Sequence, residues 1–87
     1  MDIKFEIEKC LGVLSTSKRG WTTELNLISW NGREPKVDIR EWDENHDVAG
    51  KGLTLTKTEE MELCSILHEH LKGANNDILG RDISILR

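Results

Sequence analysis

The spacing of hydrophobic and polar positions changes once along the chain, at Thr56. Before Thr56, apolar residues alternate with polar ones in short runs, which is the period of β-strands. The clearest run predicts that Val37 and Ile39 share one face of a strand. The other face is predicted to be outward and cationic, and it ends in an indole: Lys36, Asp38, Arg40 and Trp42.

Turn residues divide this first part of the chain into four predicted strands. The turn at 17–20 ends in Gly20, which can take a positive φ, and Asn31-Gly32 is the strongest hairpin signal in the chain. Pro35 stands just before the third strand, where its missing N–H does least harm. The predicted strands are Phe5–Ser17 (long or bulged), Trp21–Trp30, Lys36–Trp42 and Lys51–Leu55.

A helix is predicted after the fourth strand. Thr56 and Glu59 form a capping box at its start, and Gly73 is the expected residue just beyond its end near Lys72. The apolar side chains of the helix cover a wider arc of its surface than one neighbouring element can bury. One part of this arc is expected to pack on the sheet, and the other part on the same helix of a second copy of the chain. The predicted dimer interface contains Leu63, Ile66, Leu67 and Leu71.

These elements predict an α+β fold, a curved four-stranded antiparallel sheet followed by one C-terminal helix, which dimerises through the helices. Residues 1–73 are the expected nucleic-acid-binding domain, and residues 74–87 are a tail of uncertain order. Within this tail, the segment 83–86 is compatible with a short strand or with a disordered end.

The composition is that of an ordinary globular protein, with 87 residues and 37% hydrophobic residues. A chain of this length has a thin core. It has no apolar run of the roughly 20 residues that cross a membrane, and no apolar signal segment near its start. Cys10 and Cys64 are therefore expected to be reduced thiols in a cytoplasmic protein.

The net charge of −4 argues against a nucleic-acid partner when it is taken alone. The distribution of charge changes this conclusion, because residues 15–40 contain five Lys or Arg against three Asp or Glu. Acidic residues instead concentrate in the loop 41–47 and on the helix. A local basic face is therefore compatible with the sequence.

The segment from Trp30 to Trp42 combines two tryptophans with three cations. Cations neutralise phosphates and aromatic rings stack on unpaired bases, so this combination is typical of proteins that bind single strands. Trp21, which follows Lys18 and Arg19, repeats the pattern at the start of the second strand. The alternative is that the tryptophans belong to the core of a thin domain.

The motif D-I-R-E-W, preceded by W-N-G-R and followed by G-K-G-L-T-L and an amphipathic helix, resembles the positive-cofactor-four family of transcriptional coactivators, in particular its small bacterial branch. The resemblance implies a homodimer with helices at the interface and single-stranded DNA across the curved sheets. It implies that Trp30 stacks on a base and that Arg33, Arg40 and Lys51 are basic contacts. One departure is that Trp42 is followed by Asp43, and another is the acidic loop that begins there.

Other chemistries are less well supported by the sequence. Cys64 and His68 have the spacing of a zinc pair, but no second pair is present. Asp38 and Glu41 fall on opposite faces of a strand, so they do not form a nuclease site, and Asp38 is expected to pair with Arg40 or Lys36. No catalytic residue, metal site or cofactor is therefore predicted.

The sequence thus predicts a non-enzymatic protein that binds single-stranded DNA or RNA as a homodimer, without a membrane and with a link to the transcription machinery. The alternative is a protein-interaction dimer that recruits a transcription partner and binds nucleic acid weakly. A small nuclease is a third and more distant reading. The predicted nucleic-acid contacts are Lys18, Trp21, Trp30, Arg33, Lys36, Arg40, Trp42 and Lys51.

Overall fold

A computed structural model describes residues 3–74 and contains four strands and one helix in the predicted order. The strands form one antiparallel sheet in the sequential order β1-β2-β3-β4, which confirms the predicted fold class. The chain divides at Lys57 into two compact units, the sheet and the helix. The possible strand at 83–86 lies outside the described residues. The elements are β1 Phe5–Thr16, β2 Thr22–Trp30, β3 Lys36–Trp42, β4 Ala49–Leu55 and α1 Lys57–Ala74.

The end of β1 and the start of β2 each differ from the predictions by one residue, and two other boundaries differ for identifiable reasons. Strand β4 begins at Ala49, two residues before the predicted start, because a bulge after Arg40 brings Trp42 opposite Ala49. The prediction that Gly73 follows the end of the helix is wrong, since α1 continues to Ala74. A helical glycine costs only about 1 kcal/mol relative to alanine, so one such residue in a last turn does not stop a helix.

The turns have the backbone geometry that their residues favour. Gly20 has φ of 86°, and Asn31 and Gly32 have φ of 52° and 74°. Two successive positive φ values define a type I′ turn, which matches the twist of antiparallel strands. This turn is closed by the Arg33 amide, which donates to the Trp30 carbonyl at 2.9 Å. The turn therefore fixes where β2 ends and which way Trp30 is presented.

The core lies largely on the face of the sheet that carries the even-numbered residues of β3. Asp38 pairs with Asn26 across the β2–β3 ladder, and Trp42 pairs with Thr22. The predicted sharing of one face by Asp38, Arg40 and Trp42 is confirmed, but the prediction that this face is open to solvent is wrong. Asp38 and Trp42 are 0% exposed. Phe5 from β1 and His46 from the loop after β3 pack on Trp42, and the side chains of Arg40 and Thr54 bond to Asp38.

Candidate nucleic-acid interface

A buried carboxylate organises the centre of this face. The Arg40 guanidinium donates from Nε and Nη2 to the two oxygens of Asp38, each at 3.0 Å. Its Nη1 donates to the Gly50 carbonyl at 2.9 Å, and the Thr54 hydroxyl donates to Asp38 at 2.6 Å. The predicted pairing of Asp38 with Arg40 is therefore confirmed. Arg40 is held in one position by β3 and β4 together, since a two-point contact fixes the guanidinium plane.

A second buried carboxylate, Glu24, connects β2 to the acidic loop. It accepts hydrogen bonds from the Thr22 hydroxyl at 2.6 Å, the Asn26 amide at 3.0 Å and His46 at 2.8 Å. Burial raises the pKa of Glu24, but these three hydrogen bonds and the charge of His46 outweigh it and lower the pKa below 4.5. The His46 ring also stacks on Trp42, with centroids 5.6 Å apart, so that it fixes the loop to the sheet.

Trp30 forms a wall of an open groove of about 640 Å³ at the end of β2. The Arg40 guanidinium lies 5.0 Å from the centroid of the Trp30 ring, and Phe5 contacts the ring with centroids 5.7 Å apart. A cation at this distance from an indole stabilises the ring orientation. The groove, named here the large groove, is lined by Ile3, Phe5, Trp30, Asn31, Arg40, Asp47, Val48, Ala49 and Thr54.

A smaller groove of about 230 Å³ shares Trp30 and Thr54 with the large groove. Its other lining residues are Arg33, Glu34 and Lys36, so its side chains carry one net positive charge. Arg33 and Lys36 are both exposed. The indole of Trp30 therefore stands between an aromatic, largely apolar groove and a groove with free cations.

Trp42 is placed where it has no access to a ligand. Its indole is 0% exposed, with Phe5 at 5.1 Å and His46 at 5.6 Å between ring centroids. A base cannot stack on a ring that is covered on both sides, so the burial of Trp42 removes it from the predicted contacts. The sequence pattern could not reveal this, because the same alternation fits an exposed face and a face that another segment covers.

Trp21 forms a separate group at the other end of β2, nine residues before Trp30. The Arg19 guanidinium lies 5.8 Å from the centroid of the Trp21 ring, and Lys18 is exposed in the same turn. Lys51 is also exposed, but it points away from the Arg40 face, since its neighbour Gly52 pairs with Arg40. The predicted contacts thus do not form one cluster.

The G-K-G motif is explained by close packing of β4 on β3. A Cβ atom at Gly52 would lie 2.3 Å from the Ile39 carbonyl oxygen and 2.6 Å from the Arg40 Cβ atom. At Gly50 it would lie 3.2 Å from the Trp21 ring. Both glycines therefore allow the close approach that lets Arg40 reach the Gly50 carbonyl.

Several groove residues were missed by the sequence analysis. Asp47 and Val48 reach the large groove because the Asp43 carboxylate folds the loop back by accepting the Val48 amide at 2.8 Å. This amide, with smaller contributions from neighbouring amides, lowers the pKa of Asp43. Thr54 reaches both grooves through β-strand alternation. In the sequence, this folding of the loop was indicated only by an aspartate, Asp43, placed before the end of the loop, and such a residue is a weak signal for a particular loop conformation.

In the part of the chain that the structure describes, no helix has the length and apolar character to cross a membrane. Within residues 3–74, no three potential metal ligands come together either. The fold and the two grooves define a class of protein, a small antiparallel sheet followed by one helix, with an aromatic and cationic surface suited to nucleic acid.

Comparison with known sequences gives the particular family. Residues 17–66, more than half of the chain, match the family described as Transcriptional Coactivator p15 (PC4). An uncharacterized protein of Treponema pallidum (strain Nichols) is 46% identical over 67 residues, which cover 77% of this chain and 79% of that protein. The chain therefore belongs to the PC4 family, as the D-I-R-E-W and G-K-G motifs predicted, and family membership indicates nucleic-acid binding.

Proposed function

We propose that the protein binds single-stranded DNA as a homodimer, with little dependence on sequence and without catalysis, in support of transcription or another DNA transaction. The observation that carries the proposal is the position of Trp30, an indole shared by two adjoining grooves. An aromatic wall next to free cations is the combination that single strands need, since bases stack while phosphates are neutralised.

Arg40 acts in this proposal mainly by positioning Trp30. Its three hydrogen bonds to Asp38 and Gly50 use much of the donor capacity of the guanidinium. Its side chain is only 16% exposed, so it is a poor phosphate contact. The same contacts hold the charge 5.0 Å from the Trp30 ring, which keeps the indole in the wall of the grooves.

Arg33 and Lys36 are the proposed phosphate contacts. Both side chains are exposed beside Trp30, and the small groove that they line carries net positive charge. Each phosphate contact on a single strand contributes about 0.7 to the slope of log K against log salt. Two such contacts give a slope of about 1.4 per subunit, a measurable salt dependence, even though the whole chain has a charge of −4.

Trp21 is proposed as a second stacking platform, with Arg19 and Lys18 as its cations. Lys51 lies on the side of β4 away from Arg40, and its exposed charge suits a single strand of DNA that continues around the sheet. Trp21 lies with Glu41 around Gly50, on the face opposite Arg40 and Trp30, so a single strand that contacts both tryptophans would follow β2 and cross from one face of the sheet to the other. The same chemistry serves RNA, since stacking and phosphate contacts do not depend on the 2′-hydroxyl.

The homodimer is supported by the apolar surface of α1. Leu63, Ile66, Leu67 and Leu71 fall within an arc of about 140° around a helix of 3.6 residues per turn. Ile66, Leu67 and Leu71 are 60%, 46% and 38% exposed. Large contiguous apolar patches on small soluble proteins mark interaction surfaces, and a second copy of the same helix complements this one.

Replacement of Trp30 by leucine tests the proposed site. Trp30→Leu keeps an apolar side chain against Phe5 but removes the stacking surface, so the affinity for a single strand should fall by about 1–3 kcal/mol per stacked base. Fluorescence anisotropy with a labelled oligonucleotide measures the affinity, and urea unfolding of the same variant measures its stability. A folded Trp30→Leu protein that binds with wild-type affinity would remove Trp30 from the site and overturn the proposal.

A further inference from the structure

The large groove carries hydrogen-bonding groups that neither stacking nor phosphate attraction uses. Asn31 and Asp47 both line it. The side-chain oxygen of Asn31 accepts the Lys4 backbone amide at 3.0 Å, which leaves the Asn31 NH₂ group as a donor. Among residues 3–74, the Asp47 carboxylate has no hydrogen-bond or ion-pair partner, and it is therefore a free acceptor.

The charges of the large groove favour a neutral group over a phosphate. Its one cation, among the residues described, is Arg40, and this charge is balanced by the buried Asp38 at 3.0 Å. Asp47 adds a negative charge that repels phosphate. The walls that Phe5, Trp30 and Val48 provide are apolar, and about 640 Å³ lies within the range of roughly 300–1,000 Å³ typical of small-molecule sites.

We propose that the large groove is a base-binding subsite that prefers an unpaired guanine. This inference rests on the proposed function and assigns the groove a base preference. Guanine presents two adjacent donors, N1–H and the 2-amino group, which a carboxylate accepts together, and beside them the acceptor O6. Asp47 accepts from the two donors and Asn31 donates to O6. Thymine, cytosine and adenine each lack the pair of adjacent donors, so they fit this set less well.

The test is a series of oligothymidine strands that differ at one central position, titrated into the protein at fixed salt by fluorescence anisotropy. A single dG in place of dT should raise the affinity about five-fold or more, since a good two-point contact to a base discriminates by about 1–3 kcal/mol. Deoxyinosine, which lacks only the 2-amino group, should lose most of this gain. The inosine strand tests the inference without any change to the protein.

Asp47→Asn should abolish the preference for the dG strand over the all-thymine strand, because an amide offers one acceptor oxygen where the two guanine donors need two. Glu44→Gln is the matched control, because it removes the same charge from the same loop. The Glu44 side chain lies against Gly20 instead of the large groove, since a Cβ atom at Gly20 would meet its carboxylate. Glu44→Gln should therefore keep the dG preference.

The outcomes separate this inference from the proposed function. If the dG, inosine and all-thymine strands bind equally well, and all bind better than a duplex, the guanine subsite is refuted and single-strand binding stands. If no strand binds better than the duplex, the proposed function fails. If Asp47→Asn and Glu44→Gln both raise affinity for every strand alike, Asp47 acts by charge repulsion alone, and the subsite is overturned.

Discussion

Replacement of Arg40 by alanine distinguishes two roles for this cation: positioning of Trp30, and direct contact with a phosphate. The substitution removes three hydrogen bonds, two to Asp38 and one to the Gly50 carbonyl. It leaves the Asp38 carboxylate, which is 0% exposed, with the Thr54 hydroxyl as its remaining side-chain partner. A buried charge that loses its counter-ion destabilises a protein by about 3–5 kcal/mol.

The lower end of this range applies, because the Arg40 side chain is itself 16% exposed and water can enter the space that it leaves. A loss of about 3 kcal/mol is a large part of the roughly 5–15 kcal/mol that stabilises a small protein. With a urea dependence of about 1 kcal/mol per molar, the unfolding midpoint should fall by about 3 M. Protein concentration has to be held fixed, since the proposed dimerisation would contribute to the measured stability.

Urea unfolding of Arg40→Ala and of Arg40→Ala combined with Asp38→Asn is the assay. The second substitution removes the unpaired charge, so the double variant should recover part of the lost stability. The salt slope of DNA binding by folded Arg40→Ala should stay close to wild type. The positioning role would be refuted if Arg40→Ala alone unfolded at the wild-type midpoint and its salt slope fell by about 0.7. Arg40 would then be a phosphate contact.

Three further predictions follow from the site and the helix. Arg33→Ala should leave stability within about 0.5 kcal/mol of wild type and lower the salt slope by about 0.7, and an unchanged slope in a salt titration would exclude it as a phosphate contact. Because the pKa of folded Glu24 lies below 4.5, stability should be full above pH 4.5 and decline as the pH falls through the folded pKa. Glu24→Gln should flatten this decline in urea unfolding from pH 7 to about 3, and a decline of unchanged slope would contradict the assignment. Leu67→Glu should give monomers by light scattering, whereas Met61→Glu, at a more exposed position outside the proposed interface arc, should remain dimeric. A folded wild-type monomer at micromolar concentration would exclude the dimer.

The strand order and the turn positions could be predicted from the sequence because they depend on local chemistry. Asn31-Gly32 requires positive φ at two positions, and alternation in β3 requires Val37 and Ile39 to share a face. Local rules of this kind leave few other ways to connect and pair the strands. The pairing of Asp38 with Arg40 could be predicted for the same reason, since residues two apart on a strand share a face.

Burial across the sheet could not be predicted in this way. Trp42 and Arg40 have the same parity in β3, yet Trp42 is covered and Arg40 lines the large groove. The difference depends on Phe5, from the far end of the sheet, and on His46, whose φ of 60° turns the loop toward Trp42. Such contacts join residues that are distant in sequence or held in uncommon backbone conformations, and the spacing of hydrophobic residues carries no information about them.

Binding to matched single-stranded and duplex DNA at two salt concentrations tests the central claim most directly. A stacking platform needs unpaired bases, so the wild-type protein should bind the single strand much more tightly than the duplex at both concentrations. The single-strand affinity should also fall as salt rises, with a slope of about 1.4 per subunit from the phosphates that Arg33 and Lys36 are proposed to neutralise. Equal affinity for the two forms would contradict the account, because phosphate attraction alone would then explain binding and Trp30 would have no part in it.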